Sequence, residues 1–213
     1  LDSAFPKLST DERKDLANEL KISLDHKTIV FGSTHAGEEE LCCEVMKELW
    51  QENPELQCLL VPRHPERFNA IAEKLKKENF EFNRLSEMTE HSDDQKFILV
   101  DKMGLLMKLY DLSDIAVVAG SCTPDVGGHN ILEPSFYGKP FLYGKWIYKQ
   151  PGFQQLNLEF EAGIQCATED LVSELKLLVN NPKRCRELGD NGLKAIKSSQ
   201  GTTEKMIEEI FQK

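Results

Sequence analysis

The chain has 213 residues, with 36 acidic against 26 basic side chains and a formal net charge of −10. Its length suits one large α/β domain or two small ones, and 40% apolar with 29% charged residues excludes a disordered or fibrous chain. The acidic balance without a long basic run argues against a dedicated nucleic-acid binder, although one local positive point suffices for a phosphate; no stretch approaches the ~20 apolar residues of a membrane span.

In chain order, Ser9 stands three residues before Glu12, the spacing of a capping box, and Leu16, Leu20 and Ile22 follow at roughly helical spacing. A short lead-in helix is expected there, within a linker over 1–25. The first residue, Leu1, is not Met, which suggests a piece of a longer protein, and no secretory signal pattern opens it. Thr28-Ile29-Val30-Phe31 reads as a strand ending at Gly32, followed by a helix from Gly37 to Gln51. Gln57 to Val61 is a second strand, and Pro65 to Asn79 a helix with proline in its first turn. Phe80 to Leu85 is a further candidate strand and Ser86 to Gln95 a polar loop that carries Asp93-Asp94, read as solvated charge. Phe97 to Val100 is a strand, Leu105 to Leu112 a short helix, and Asp114 to Ala119 a strand. Small residues cluster from Gly120 to Gly128, and a helix is expected to begin near Asn130. Pro140 to Tyr143 is the last clear strand. Beyond Gln150 the pattern is mostly helical, with a short strand at Ile164-Gln165-Cys166 and breaks at Asn181-Pro182 and Gly201.

Strands alternating with helices predict an α/β fold, a Rossmann-like doubly wound parallel sheet. Such sheets place ligands beyond the carboxyl ends of their strands. Four polar or glycine-bearing segments fall at those ends: Gly32-Ser33-Thr34-His35, Pro62-Arg63-His64, Asp101-Lys102-Met103-Gly104 and Gly120-Ser121-Cys122. The six cysteines, Cys42, Cys43, Cys58, Cys122, Cys166 and Cys185, form no C-x-x-C pair and have no histidine cluster beside them. They read as reduced, mostly buried thiols of a cytosolic protein, with no structural zinc site and no D-x-D metal motif.

Each segment has a plain and a functional reading. Ser33, Thr34 and His35 precede a helix, where free N–H groups and hydroxyls favour an anion, but N-capping alone accounts for them equally well. Glu38 and Glu39 suit a first helical turn without any function. Arg63, between Pro62 and His64-Pro65, has a planar fork suited to phosphate, against a surface salt bridge as the alternative. Gly104 allows a close backbone approach, or is simply a turn glycine. Gly127-Gly128-His129-Asn130 with Glu133 is the sharpest group: Asn130 and Glu133, three apart on one helix face, suit a ribose diol, against a capping Asn and a first-turn Glu. His35, His64 and His129 are as readily turn residues as ligand contacts. No complete catalytic set is assignable.

Taken together, Ser33-Thr34-His35-Ala36-Gly37-Glu38-Glu39, Pro62-Arg63-His64-Pro65-Glu66-Arg67-Phe68, Asp101-Lys102-Met103-Gly104 and Gly120-Ser121 through Gly127-Gly128-His129-Asn130-Ile131-Leu132-Glu133-Pro134 resemble the Kdo transferases of lipopolysaccharide biosynthesis. The match runs in order from Val30 to Gly144. The resemblance implies the C-terminal half of a glycosyltransferase B architecture: residues 26–213 would form a domain that binds the donor, CMP-Kdo. The acceptor domain, with its membrane anchor and general base, would lie outside the chain. It further implies transfer of Kdo to lipid A precursor (lipid IVA) with inversion, at the cytoplasmic face of the bacterial inner membrane, without a cofactor or a metal. This chain alone would then be inactive. Residue by residue, Pro62 and Arg63 would meet the phosphate; Met103, Gly104 and Leu105 the cytosine; and Asn130, Ile131, Leu132 and Glu133 the ribose. Ser33, Thr34, His35 and Gly128 would face the same cleft. Cys122 and Thr123 depart from the apolar residue expected after Gly120-Ser121. Two readings stand beside this one: another nucleotide-sugar enzyme of the same fold, such as a UDP-sugar transferase or epimerase, and a non-catalytic nucleotide-binding module.

Overall fold

Strand β1 (Thr28–Thr34) is buried along its whole length, as a strand covered on both faces must be. The protein is described here by a computed structural model, which covers residues 5–89 and 96–199. β1 lies between β2 (Gln57–Pro62) and β5 (Ile115–Val118), parallel to both. With β3 (Asn83–Arg84), β4 (Phe97–Leu99), β6 (Phe141–Tyr143) and β7 (Ile164–Gln165), it forms a parallel sheet in the order β3-β4-β2-β1-β5-β6-β7. From β1 the chain passes to β2, then to the edge at β3, turns back to insert β4 between β3 and β2, and then crosses to the other side of β1 to add β5, β6 and β7 outward. The switch point lies between β1 and β5, where doubly wound sheets open a crevice.

The alternation of side chains along each strand builds two apolar layers. Ile29, Phe31, Leu60, Phe97, Leu99 and Val117 pack against α2 (Glu38–Glu52), α3 (Phe68–Lys77) and α6 (Leu171–Asn180). Val30, Leu59, Val61, Ile98 and Val118 face α1 (Thr10–Leu20), α4 (Leu106–Leu112) and the later turns of α7 (Pro182–Ser199). α5 (Pro151–Phe160) adds Phe153, Leu156 and Phe160 to that second layer. The capping box of α1 forms, Ser9 and Glu12 exchanging bonds with each other's backbone N–H. α1 is more than a lead-in: Leu16, Ala17 and Leu20 enter the core. Asp111 accepts the Leu8 N–H at 2.6 Å, and the Arg13 guanidinium donates to the Asp111 and Leu112 carbonyls.

Two expected elements differ. Of Phe80 to Leu85, only Asn83–Arg84 pairs with β4. Phe80 is instead drawn under the sheet edge by edge-on packing against Phe97, with ring centroids 4.7 Å apart. No α-helix begins near Asn130. Asn130 Oδ1 accepts the Leu132 N–H at 3.1 Å, an Asx turn. A single 3-10 turn follows over Pro134–Tyr137, ended by Gly138 at φ +66°. Asn130 and Glu133 consequently do not share a helix face. The Asp93-Asp94 pair and the break at Gly201 lie outside the described residues. Among the described residues, no helix is long and apolar enough to cross a membrane.

The 3-10 turn is held from behind by α7. A Cβ on Gly189 would sit 2.1 Å from the Gly138 carbonyl oxygen, and one on Gly192 2.7 Å from Ser135 Oγ. Alanine is the better helix former by ~1 kcal/mol in an open helix, but here it meets backbone. Gly189→Ala is therefore expected to destabilise the fold by about 1–3 kcal/mol in chemical denaturation; an unchanged or raised midpoint would refute this close packing.

Candidate functional site

β1 does not end cleanly. Its register with β2 slips between Gly32 and Thr34, and Ser33 bulges out at φ +60°. The bulge turns successive residues of one segment to different tasks. Ser33 faces a cleft at the carboxyl ends of β1, β2 and β4. Thr34 turns inward, 0% exposed, and its hydroxyl donates to Glu39 at 3.1 Å. Thr34 is thus a scaffold residue and not the ligand contact expected of it. Glu39 in turn holds the Arg67 guanidinium through two bonds of 2.7 and 2.9 Å.

The cleft encloses about 250 Å³ and is lined by Ser33, Pro62, Arg63, Met103 and Gly104, joined by Lys102, Leu106 and Met107. Leu105 is not in this lining; the next turn of α4 takes its place. Gly104 stands at φ +84° with open space where a Cβ would be, so its role there is conformational freedom and an uncovered backbone. Met103 is 54% exposed, a large apolar side chain kept at the mouth. Arg63 is exposed, and among the described residues no carboxylate pairs with it. A larger hollow of about 550 Å³, lined by Lys47, Trp50 and Phe80 among others, opens at the opposite, amino end of the sheet.

Beside this cleft, the β1–β5 crevice is closed by the protein itself. Glu38 is almost fully buried, and its carboxylate accepts from the N–H of Gly120 at 2.7 Å, Cys122 at 3.0 Å and His35 at 2.9 Å. Burial pushes its pKa up while those three donors pull it back. By sequence pattern Glu38 is an ordinary first-turn residue. Its one available signal was its place directly after a glycine turn at the start of α2, and burial is not legible from that.

His35 reaches across the crevice to His129, with the two Nε2 atoms 2.8 Å apart and the ring planes within 20° of parallel. His64 stands edge-on to His35, with ring centroids 5.0 Å apart. The His129 ring lies over Gly120, whose absent Cβ would be 2.5 Å from it. His35 is driven down to about 4 by burial and by the flanking His129, His64, Arg67 and Arg63; His129 falls through burial, Arg63, His64 and Lys149.

The Asn130–Glu133 segment lies outside that lining. Ile131 and Leu132 are core residues, both 0% exposed, so only their backbone could reach a ligand. The Gly128 N–H is spent on the Gly120 carbonyl at 2.8 Å, and its bare Cα is needed by Ile147, which a Cβ would overlap. Gly128 is therefore a packing glycine. Glu133 is raised to about 7, because burial opposes its charge more than Arg63 favours it. The Tyr110 hydroxyl, near enough to feel the Glu133 charge, is buried without a hydrogen-bond partner among the described residues and faces the bare Cα of Gly32. Asp101 does not face a ligand either. Burial works against its charge, but Ser86 and the Arg84 guanidinium at 2.5 Å outweigh that and hold it below the usual carboxylate range.

Two outcomes follow from these carboxyl groups. Glu38→Ala leaves three backbone donors without their acceptor, so a loss of about 3 kcal/mol or more is expected in chemical denaturation; a loss below ~1 kcal/mol would show that water replaces the carboxylate freely. For Glu133, a folded pKa raised above the unfolded one means that ionisation works against folding above about 7, and that this penalty fades as pH falls toward the ordinary carboxylate value. Glu133→Gln is expected to be more stable than wild type at about pH 8, with the difference shrinking toward about pH 5. A difference independent of pH across that range would contradict the raised pKa.

Against known proteins, no family model matches the chain. The 3-deoxy-D-manno-octulosonic acid transferase of Haemophilus influenzae is 36% identical over 186 residues, covering 86% of this chain and 43% of that protein. The C-terminal CMP-Kdo binding domain of WaaA from Acinetobacter baumannii superposes with a TM-score of 0.78 at 26% identity, covering 87% of this chain and 96% of that domain. Anabaena Alr3699/HepE in complex with UDP and glucose, 15% identical with a TM-score of 0.61 over 97% of this chain and 53% of its own, shows the fold alone. The chain spans less than half the length of the curated Kdo transferases it matches. The ordered strand-end motifs, the parallel sheet with its switch point and these similarities together place the chain in the Kdo transferase family, with the fold of a glycosyltransferase B domain.

Proposed function

We propose that this chain is the donor half of an enzyme that transfers Kdo from CMP-Kdo to a lipid A precursor (lipid IVA), with inversion at the anomeric carbon. The observation that carries the reading is the unpaired Arg63 at the lip of the cleft, opposite the open backbone of Gly104. In an otherwise acidic chain, a rigidly flanked guanidinium without a carboxylate partner is a waiting phosphate ligand. The flat, uncovered backbone at Met103-Gly104 suits the edge of a cytosine, which offers both donor and acceptor groups to main-chain atoms. The Glu38 carboxylate occupies the crevice where a helix N-terminus ordinarily takes an anion, which favours the neighbouring Arg63 side for the phosphate.

In the mechanism this implies, Arg63 binds the nucleotide phosphate and stabilises the negative charge that grows on it as the glycosidic bond breaks. Asn130 and Glu133 complete the ribose side of the site, and backbone at Ile131 and Leu132 supports them. The acceptor hydroxyl is deprotonated by a base of the acceptor half, at the cytoplasmic face of the bacterial inner membrane, to which the acceptor half ties the enzyme. Residues 26–213 form the donor-binding domain in this reading, with α1 packed onto it from the linker side.

Calorimetric titration tests this directly. CMP is expected to bind, UMP more weakly, and Arg63→Ala to lose ~1.5–3 kcal/mol, roughly ten- to over a hundredfold in affinity. The chain alone is expected to show no transfer of Kdo from CMP-Kdo to lipid IVA. Equal binding of CMP and UMP would favour another nucleotide-sugar enzyme of the same fold, and an unaffected Arg63→Ala would move the phosphate elsewhere.

A further inference from the structure

Three histidines from three different strand-end segments meet where the proposed phosphate site adjoins the β1–β5 crevice. His35 comes from the end of β1, His64 from the end of β2, and His129 from the loop after β5. The two Nε2 atoms of His35 and His129 are 2.8 Å apart. A bond between two imidazole nitrogens needs one N–H and one lone pair, so the pair holds a single proton between its facing atoms. A second proton there would set two N–H groups against each other and break the bond. The ring positions are set by packing: His129 lies over Gly120, where any side chain would displace it, and the His35 backbone N–H is fixed on Glu38.

The charged surroundings are one-sided. From the segment after β2 come Arg63, His64 and Arg67; from the turn before α5 comes Lys149. Arg67 is neutralised by Glu39. On α2, the Glu38 carboxylate is spent on backbone N–H groups, including that of His35 itself. Glu133 is held in reach of Arg63. In the free protein, the His35 and His129 imidazoles are thus kept neutral by burial and by neighbouring cations. A phosphate brought in by Arg63 reverses that balance, because it supplies the anion these groups lack.

Resting on the donor-site reading above, we propose that His35 and His129 form, beside Arg63, a second part of the phosphate subsite that takes up one proton when the nucleotide phosphate binds. The shared proton then becomes two: the imidazole pair separates, and at least one imidazolium N–H turns to a phosphate oxygen. The cation is created only when the anion is present, so the empty site does not hold a further uncompensated positive charge in a partly buried position. Linkage fixes the sign. Binding raises the imidazole pKa above its free value of about 4, so affinity increases as pH falls through the bound-state pKa toward that value.

The probe is the methyl ester of CMP, a phosphodiester like the donor, with no second phosphate ionisation of its own. Titration calorimetry in two buffers of different ionisation enthalpy, at several pH values, reads the protons taken up per nucleotide bound. Wild type is expected to take up a proton and to gain affinity by up to about tenfold for each unit of pH lowered within the linked window. His35→Asn and His129→Asn, each checked for an unchanged fold by circular dichroism, are expected to lose that uptake. Glu133→Gln, whatever it does to nucleotide affinity, is expected to keep the uptake per nucleotide bound, since the proton lies on the imidazoles. Binding by wild type without proton uptake overturns this subsite and leaves the donor site standing. Uptake that survives both histidine variants and disappears in Glu133→Gln also overturns it, with Glu133 as the group that protonates. No nucleotide binding by wild type overturns the donor-site reading and this inference with it.

Discussion

The Glu38 carboxylate is the pin on which the strand ends are hung. It sits at the start of α2, inside the crevice between β1 and β5, and ties the turn after β1 to the loop after β5 through the N–H groups of His35, Gly120 and Cys122. Taking a carboxylate out of water costs several kcal/mol, and three charge-assisted bonds of ~1.5–3 kcal/mol each can offset that. The geometry of everything above the sheet follows from it. His35 is held where it meets His129, Gly120 is held under the His129 ring, and the anion-favouring end of α2 is already satisfied from within. The neighbouring cleft, with the exposed Arg63 in its lining, is the one left open.

A second belt of carboxylates works in the same way. Glu39 collects Arg67 and the Thr34 hydroxyl, and Asp101 collects Arg84 and Ser86. The acidic surplus of the chain is in part consumed as internal bracing of its loops, and the bracing claims the arginines around the cleft with the exception of Arg63. In a chain of net charge −10, a guanidinium without an ion-pair partner among the described residues is a product of this local arithmetic and not of overall charge. The same local balance holds the His35 and His129 pKa values down and that of Glu133 up.

The similarity to Kdo transferases extends over most of the chain in both sequence and fold. The sheet contributes rigidity, since its strands are buried on both faces and its crossovers are packed against continuous apolar layers. The loops at the strand ends carry the polar groups, and Glu38 and Glu39 at the start of α2 fasten those after β1, β2 and β5 to one another.

The sequence by itself determined the alternation of strands and helices, the capped lead-in helix, the parallel sheet and the four strand-end segments. These are encoded by local periodicity, caps and turn residues, which act over a few positions. It also carried the family's motifs, and with them Arg63 and Gly104. The tertiary structure alone decided which motif residues face the cleft. Thr34 and Gly128 turned to scaffolding because a bulge and a neighbouring isoleucine required it; Ile131 and Leu132 turned to the core because the Asx turn at Asn130 and the glycine-lined face of α7 draw that segment down onto the sheet. Phe80 left its expected strand for an aromatic cluster. Glu38 and His129, ordinary by local pattern, became central through partners more than 80 residues away. Such pairings are set by how layers pack, and no local spacing in the chain records them.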